Sequence, residues 1–189
     1  FADGTGTKVQ IASIHRPGQA GEGRYALFHV EGELGATVPQ NLDGYYVQVA
    51  IGGPYVDHYI AGYYDNIVVT SVLGAPVTSI TYMDATMHNG DMESQDVSGS
   101  WSDHDYDANY IPYEWKTLNT HDANHIWTAA LGFIIFDGTL EGAVNNTGEK
   151  VYTGQYFTVN AKLGGRTGAL AQVLAYATEN ADGTGNKVL

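Results

Sequence analysis

Apolar and polar positions along this chain alternate mainly with a period of two. In GYYVQVAI, Tyr45, Val47, Val49 and Ile51 fall on one face, and Tyr46, Gln48 and Ala50 on the other. That is the spacing of a strand, whose successive side chains point to opposite sides of a sheet. KVYTGQYFTVNA carries the same alternation, with Val151, Thr153, Phe157 and Val159 set against Tyr152, Tyr156 and Asn160. RYALFHVE (24–31), NIVVTSVL (66–73) and TAALGFIIF (128–136) are short and rich in β-branched or aromatic residues, so each is predicted as a strand. ALAQVLAYAT (169–178) is built of helix-forming residues, but Leu170, Leu174 and Tyr176 alternate with alanines, and we read it as a strand too.

Between these runs the turn signals are dense: Gly-Gly at 52, Asp-Gly at 43, 137 and 182, and Asn-Gly at 89. Strands at intervals of roughly ten residues, each bounded by a turn, predict an all-β fold, an antiparallel sandwich or barrel. No linker divides residues 1–189, so we read one domain. LGGRTGAL (163–170) reads as a turn between two strands, because no helix follows that could turn its glycines into a phosphate cradle. The exception to the strand rhythm is 84–113, which is long, acidic and poor in aliphatic residues. Its aromatics Trp101, Tyr106, Tyr110 and Tyr113 argue that this loop is pinned down.

Charge changes the picture most. Twenty-one Asp and Glu against eight Lys and Arg give a net charge of −13. Between Arg24 and Lys116 there is no base at all, while thirteen acids fall in that interval. Binding to a phosphate backbone needs clustered Lys and Arg, so nucleic acid is excluded as a partner. A surface this acidic repels itself unless it is well hydrated or meets cations, and divalent metal is the obvious candidate. The chain has no cysteine, which removes disulfides, thiolate metal sites and a Cys nucleophile. No apolar run approaches the ~18 residues of a membrane span. A chain that begins at Phe1 is expected to be a mature secreted form from which a signal peptide has been removed.

The densest acidic stretch is DHDYDANYIPYE. Counting Asp103 as the first position, Asp105 and Asp107 stand at three and five, Asn109 at seven and Glu114 at twelve, the ligand spacing of a calcium loop. Calcium takes six to eight hard oxygens, and a closing glutamate can supply two. Ala108 sits where an EF-hand loop has glycine, Pro112 lies inside the loop and no amphipathic helices flank it. The EF-hand fold is therefore rejected while the ligand set is kept, against the alternative of a solvated acidic loop. Asp84, Asp91, Glu93 and Asp96 lie just upstream as candidates for a second metal site. His121 and His125 have the i, i+4 separation of two zinc ligands on a helix, but Asp122 replaces the expected base and the segment is a poor helix. A loop histidine pair fits better. No nucleophile elbow or P-loop is present, and we expect no enzymatic activity. Asn145 opens a glycosylation sequon expected on an exposed hairpin. Trp101, Trp115 and Trp127, with the many tyrosines, serve as a sugar-stacking platform, as core or as subunit-interface residues.

The two ends of the chain are near-duplicates: ADGTGTKV (2–9) and ADGTGNKV (181–188) agree at seven of eight positions. Either a surface turn recurs, or both ends occupy equivalent environments, each against a neighbouring copy.

Three stretches carry a family resemblance: IHRPGQAGEGRYALFHVEGELG (14–35), VDHYIAGYYDNIVVT (56–70) and TYMDA (81–85). Together with an acidic, cysteine-free chain of this size, they resemble the cannula subunits of hyperthermophilic archaea over roughly the first half. The resemblance implies a β-sandwich of jelly-roll type, related in architecture to the TasA/camelysin biofilm-matrix fibre proteins. It implies a secreted subunit that forms an extracellular tube, a helical polymer of identical or closely related copies, with Ca2+ and by donor-strand complementation. Residues 1–15 are then the expected arm, with Thr7, Lys8, Val9, Gln10 and Ile11 as its donor strand. The alternative is a calcium-stabilised carbohydrate-binding sandwich with glycans as partners; a His/Asp metal hydrolase ranks last.

Overall fold

The computed structural model describes residues 8–23, 26–52, 62–74, 78–92, 114–117, 126–129, 133–136 and 143–182. Within them the chain is nearly all β, in two antiparallel sheets, with one 3-10 turn at Gln40–Leu42. The first sheet runs, in spatial order, β1 (Lys8–Pro17), β11 (Leu170–Thr178), β3 (Tyr46–Gly52), β9 (Ala143–Lys150) and β6 (Trp115–Thr117). The second runs β2 (Phe28–Glu31), β10 (Tyr156–Gly165), β4 (Gly62–Leu73), β8 (Phe133–Phe136) and β7 (Ile126–Ala129), and β5 (Thr78–Met83) pairs with the far half of β4. The expected all-β sandwich is therefore present.

The core forms where the two inner faces meet. Val47, Val49 and Ile51 of β3 and Ala171, Val173, Ala175 and Ala177 of β11 face Tyr64, Ile67 and Val69 of β4 and Phe157, Val159 and Leu163 of β10, all at most 1% exposed. Outward-facing Leu174 and Tyr176 are buried as well, in a small cluster with Ala50 and Val144. β11 is thus covered on both faces, which removes the apolar–polar alternation and explains why its sequence reads ambiguously between helix and strand. Tyr64 links the layers at one end. Its hydroxyl meets the main chain at Gln172 and Gly52, which are register partners on β11 and β3, and burial pushes its pKa far up.

Two predicted strands differ from what is observed. KVYTGQYFTVNA is split: β9 ends at Lys150, a turn spans 151–155 with Gly154 at φ +85°, and β10 begins at Tyr156. TAALGFIIF belongs to two strands, because β7 and β8 pair with each other from Ala129↔Phe133 to Ile126↔Phe136. In KVYTGQYFTVNA the buried positions Val151, Phe157 and Val159 keep their phase across the turn, so the pattern alone does not show where one strand ends and the next begins.

A strap at 32–38 closes one side of the sandwich. Gly35 N–H donates to Phe157 O and Val38 N–H to Gln155 O, each at 2.8 Å. A Cβ on Gly35 would lie 1.9 Å from Ile11 O, and one on Gly32 would lie 2.2 Å from Val159 O and 2.7 Å from the Ile14 side chain. The strap therefore sets Ile11 beside Phe157 and Ile14 beside Val159, so β1 and β10 run the same way in facing sheets. The fold consequently has a Lys8 end, where β1 and β10 start and β11 finishes, and an Arg16 end, where the β10–β11 turn sits.

Gly35→Ala is expected to destabilise the fold by about 2 kcal/mol or more, since backbone must move to admit the methyl group. Gly44→Ala, at φ +79° with open space around it, is expected to cost only about 1 kcal/mol of backbone strain. Urea midpoints of the two variants check the difference; equal losses would remove the close approach as the cause.

Candidate metal centre

The acidic segment starts directly after β5, and its first nine residues are tightly built. Asp84 Oδ1 accepts three hydrogen bonds, from Thr86 N–H (2.7 Å), Thr86 Oγ1 (2.8 Å) and Met87 N–H (2.9 Å). These donors, the Thr86 main chain first, hold the Asp84 carboxyl below the usual range. β4 pairs with β8 only as far as Tyr64 and with β5 only from Val69. The gap is filled by the segment itself, where Ile67 N–H donates to Gly90 O at 2.7 Å. A Cβ on Gly90 would meet Ile67 O at 2.3 Å and Asp84 O at 2.8 Å.

The same nine residues reach across to the first sheet. Asn145 Nδ2 on β9 donates to His88 O at 2.7 Å, and Trp115 Nε1 on β6 donates to Asn89 O at 3.2 Å. Residues 84–92 thus form a clip that ties β4 to β9 and β6. His88 (φ 59°), Asn89 (52°) and Met92 (57°) are left-handed, as is Glu114 (70°) just ahead of β6. Asparagine tolerates this region; for the others it costs on the order of 1–3 kcal/mol each and marks a place where the surroundings dictate the backbone.

His88 Nδ1 and Glu114 Oε2 are 2.8 Å apart. The acidic segment therefore leaves and re-enters the described structure at one place. Of the predicted calcium ligands, Glu114 is here, with a half-exposed side chain, and Asp84 and Asp91 lie in the clip. Asp103, Asp105, Asp107, Asn109, Glu93 and Asp96 lie outside the described residues, as do Trp101, His121 and His125. Among the described residues no three His, Asp or Glu side chains converge as a metal site. The Glu114 carboxylate, engaged by His88 through Oε2 and half-exposed, is a hard oxygen donor of the type calcium takes.

Burial overturns one expectation and decides between the roles left open for Trp115. Asn145 does not sit on an exposed hairpin: it is 0% exposed in the middle of the first sheet, with Oδ1 lacking a hydrogen-bond partner. A sequon with its acceptor inside the core cannot be glycosylated in the folded chain. Trp115 is 2% exposed and belongs to the core, so it contributes nothing to a sugar platform. Sequence reasoning also missed His88, Asn89 and Gly90; the Asn-Gly pair announced a turn there but not the partners of these residues, which lie 23 to 57 residues away.

A buried carboxylate lies on β4. Asp65 is 8% exposed; Oδ2 accepts from Asn66 Nδ2 (2.8 Å) and faces Lys162 Nζ (3.4 Å), while Oδ1 has no partner. Desolvation pushes its pKa up, against the opposing pull of Lys162.

The donor-strand residues Lys8, Val9, Gln10 and Ile11 lie on β1, where Lys8 pairs with Thr178, Val9 with Ala177 and Gln10 with Tyr176 of the same chain; Thr7 lies outside the described residues. No family model, no curated protein and no solved structure matches the chain.

Asp84 and Asp65 are expected to act on stability with opposite pH dependence. Removing the three acceptor bonds by Asp84→Ala should cost about 1–2 kcal/mol near neutral pH. That loss should shrink as pH falls through the lowered folded-state pKa, because the ionised carboxylate is what the turn stabilises. The raised pKa of Asp65 means the reverse: its charge penalty is absent below the ordinary Asp range and sets in as pH rises through the folded value. Asp65→Asn should therefore become relatively more stable than wild type with rising pH. Denaturant melts from pH 3 to 8 check both signs.

Proposed function

We propose that this chain is a secreted, non-enzymatic structural subunit of jelly-roll type that polymerises into an extracellular tube or filament through calcium binding and strand donation between copies. The observation that carries this reading is the pairing of Lys8 with Thr178. Lys8 belongs to the first ADGTG-containing repeat, and Thr178 stands three residues before the second begins. The two near-identical segments are thus joined to adjacent strands at one end of one sheet edge, as equivalent environments require.

β1 is the outermost strand of its sheet and pairs there with β11. In a lone subunit it fills its own slot. Strand donation would exchange it for the β1 of a neighbour in the same register, which costs little because the strand meets the same neighbours in either subunit. Subunits of charge −13 accumulate repulsion as they assemble, and divalent cations held by Glu114, Asp103, Asp105 and Asp107 would offset it.

Strand exchange can be tested by locking β1. His15 and Gln172 face each other across β1 and β11, and the chain has no cysteine of its own. The double variant His15→Cys/Gln172→Cys should stay monomeric in millimolar calcium when oxidised and assemble once reduced. Filaments from the oxidised protein would rule out donation of β1. Replacing Asp103, Asp105 and Asp107 with Asn should abolish the calcium requirement or the assembly itself; filaments with unchanged calcium dependence would reduce the loop to surface. A calcium-bound monomer that binds glycan would instead favour a carbohydrate-binding module.

A further inference from the structure

The second sheet brings an amine, a side-chain amide and a carboxylate to one point. Asp65 on β4 and Lys162 on β10 are register partners, and the register slips directly beyond them, between Asn160 and Lys162 of β10. At that irregularity Asn66 is left-handed, at φ 47°, inside a strand. Bulges re-aim side chains, and here the Asn66 amide is turned back on its neighbour. Asp65 Oδ2 accepts from Asn66 Nδ2 at 2.8 Å and stands 3.4 Å from Lys162 Nζ. A single carboxylate oxygen therefore holds both nitrogens.

As a permanent ion pair this arrangement is poorly made. The Asp65 side chain is 11% exposed with Oδ1 unpartnered, while the Lys162 side chain is 46% exposed. Their 3.4 Å separation is longer than a good charge-assisted hydrogen bond. Burying a carboxylate with one oxygen unsatisfied is costly, and desolvation pushes the Asp65 pKa up. Both effects favour passing a proton from the ammonium to the carboxylate. The amine freed in this way is a nucleophile, and the Asn66 amide, held by the same oxygen, offers it an electrophilic carbon.

We propose that Lys162 and Asn66 become joined by an isopeptide bond, formed by the protein itself and tying β10 to β4. A proton passes from Lys162 Nζ to Asp65, and the freed lone pair attacks Asn66 Cγ. Asp65 then gives its proton to Nδ2 and takes the second proton from Nζ. The Cγ–Nδ2 bond breaks, its electron pair leaves with ammonia, and the Cγ–Nζ amide remains. Ammonia carries off the proton left on Asp65, and nothing is oxidised or reduced. Asp65 is the proton carrier and not the acyl partner, because a carboxylate is a poor electrophile, whereas an amide loses ammonia once its nitrogen takes a proton. The bond closes residues 66–162 into a covalent ring, which constrains the unfolded chain as a disulfide would in a protein that has no cysteine. It forms within one subunit and is independent of assembly. Once made it does not change with pH, so it shifts the Asp65→Asn comparison by a constant and leaves the sign of its pH trend.

The test is the intact mass of the full-length chain, denatured after it has folded and been held at neutral pH. Wild type should be lighter than its sequence by one ammonia, and digestion should release one branched fragment joining the peptides that contain Asn66 and Lys162. Lys162→Arg keeps the positive charge without a nucleophilic amine and should show the full sequence mass. Asn66→Ala and Asp65→Ala should do the same, with circular dichroism checking that each is folded. Because Lys162 is half-exposed, its variant keeps the comparison decisive even where the buried substitution weakens the fold. A wild-type chain of full mass overturns the bond. So does a loss of ammonia that survives in Lys162→Arg, which would be cyclisation at an Asn-Gly step such as Asn89-Gly90. Loss of one water in place of ammonia would move the bond to Asp65 and overturn the assignment of Asn66. A bond that still forms in folded Asp65→Ala overturns the proton transfer.

Discussion

The hydrogen bond from Ile67 N–H to the Gly90 carbonyl sits where β4 has lost both strand partners on one side. A buried main-chain donor without an acceptor is among the costlier defects a fold can carry. The clip at 84–92 removes it and at the same time accepts from Asn145 and Trp115 in the opposite sheet. One short segment therefore joins the layers at their open side, and the left-handed residues at 88, 89 and 92 are the local cost of bending it there. Gly90 is required because no side chain fits between Ile67 O and Asp84 O.

This arrangement couples structure to charge. The clip carries Asp84 and Asp91, and its His88 meets Glu114, so the acidic segment is held at both ends by the contacts that close the sandwich. A cation gathered by the carboxylates between those ends would act on residues already fixed to both sheets. The 32–38 strap serves the opposite side through glycines that let β1 and β10 approach. Buried polar side chains elsewhere are mostly satisfied locally: Gln155, fully buried, donates to Ser71 and Tyr82, and Tyr82 donates to Lys150 O.

Where the sheet order places the chain ends matters as much. β1 and β11 are distant in sequence but adjacent in space, which brings Lys8 and Thr178, next to the two repeats, to one corner and puts Arg16 towards the other. The fold therefore has a direction along its strands, with chemically different ends.

By itself the sequence determined the class of fold. Period-two alternation, β-branched runs and Gly-rich turns specify strands and their faces; they located β3 and β11 nearly to the residue, and β4 except for its first four residues. Composition determined the acidic, cysteine-free surface. Tertiary structure alone decided the rest, because alternation says which residues share a face but not where the chain reverses or which strand lies alongside. Hence one predicted strand became β7 and β8, and Asn145, polar and in a sequon, proved to face the core. The partners of His88, Asn89 and Gly90 were likewise invisible, since hydrogen bonds across 23 to 57 residues leave no periodic trace. The pairing of Lys8 with Thr178 is the extreme case: the repeat was plain in the sequence, but only the sheet could bring the strands that adjoin its two copies together.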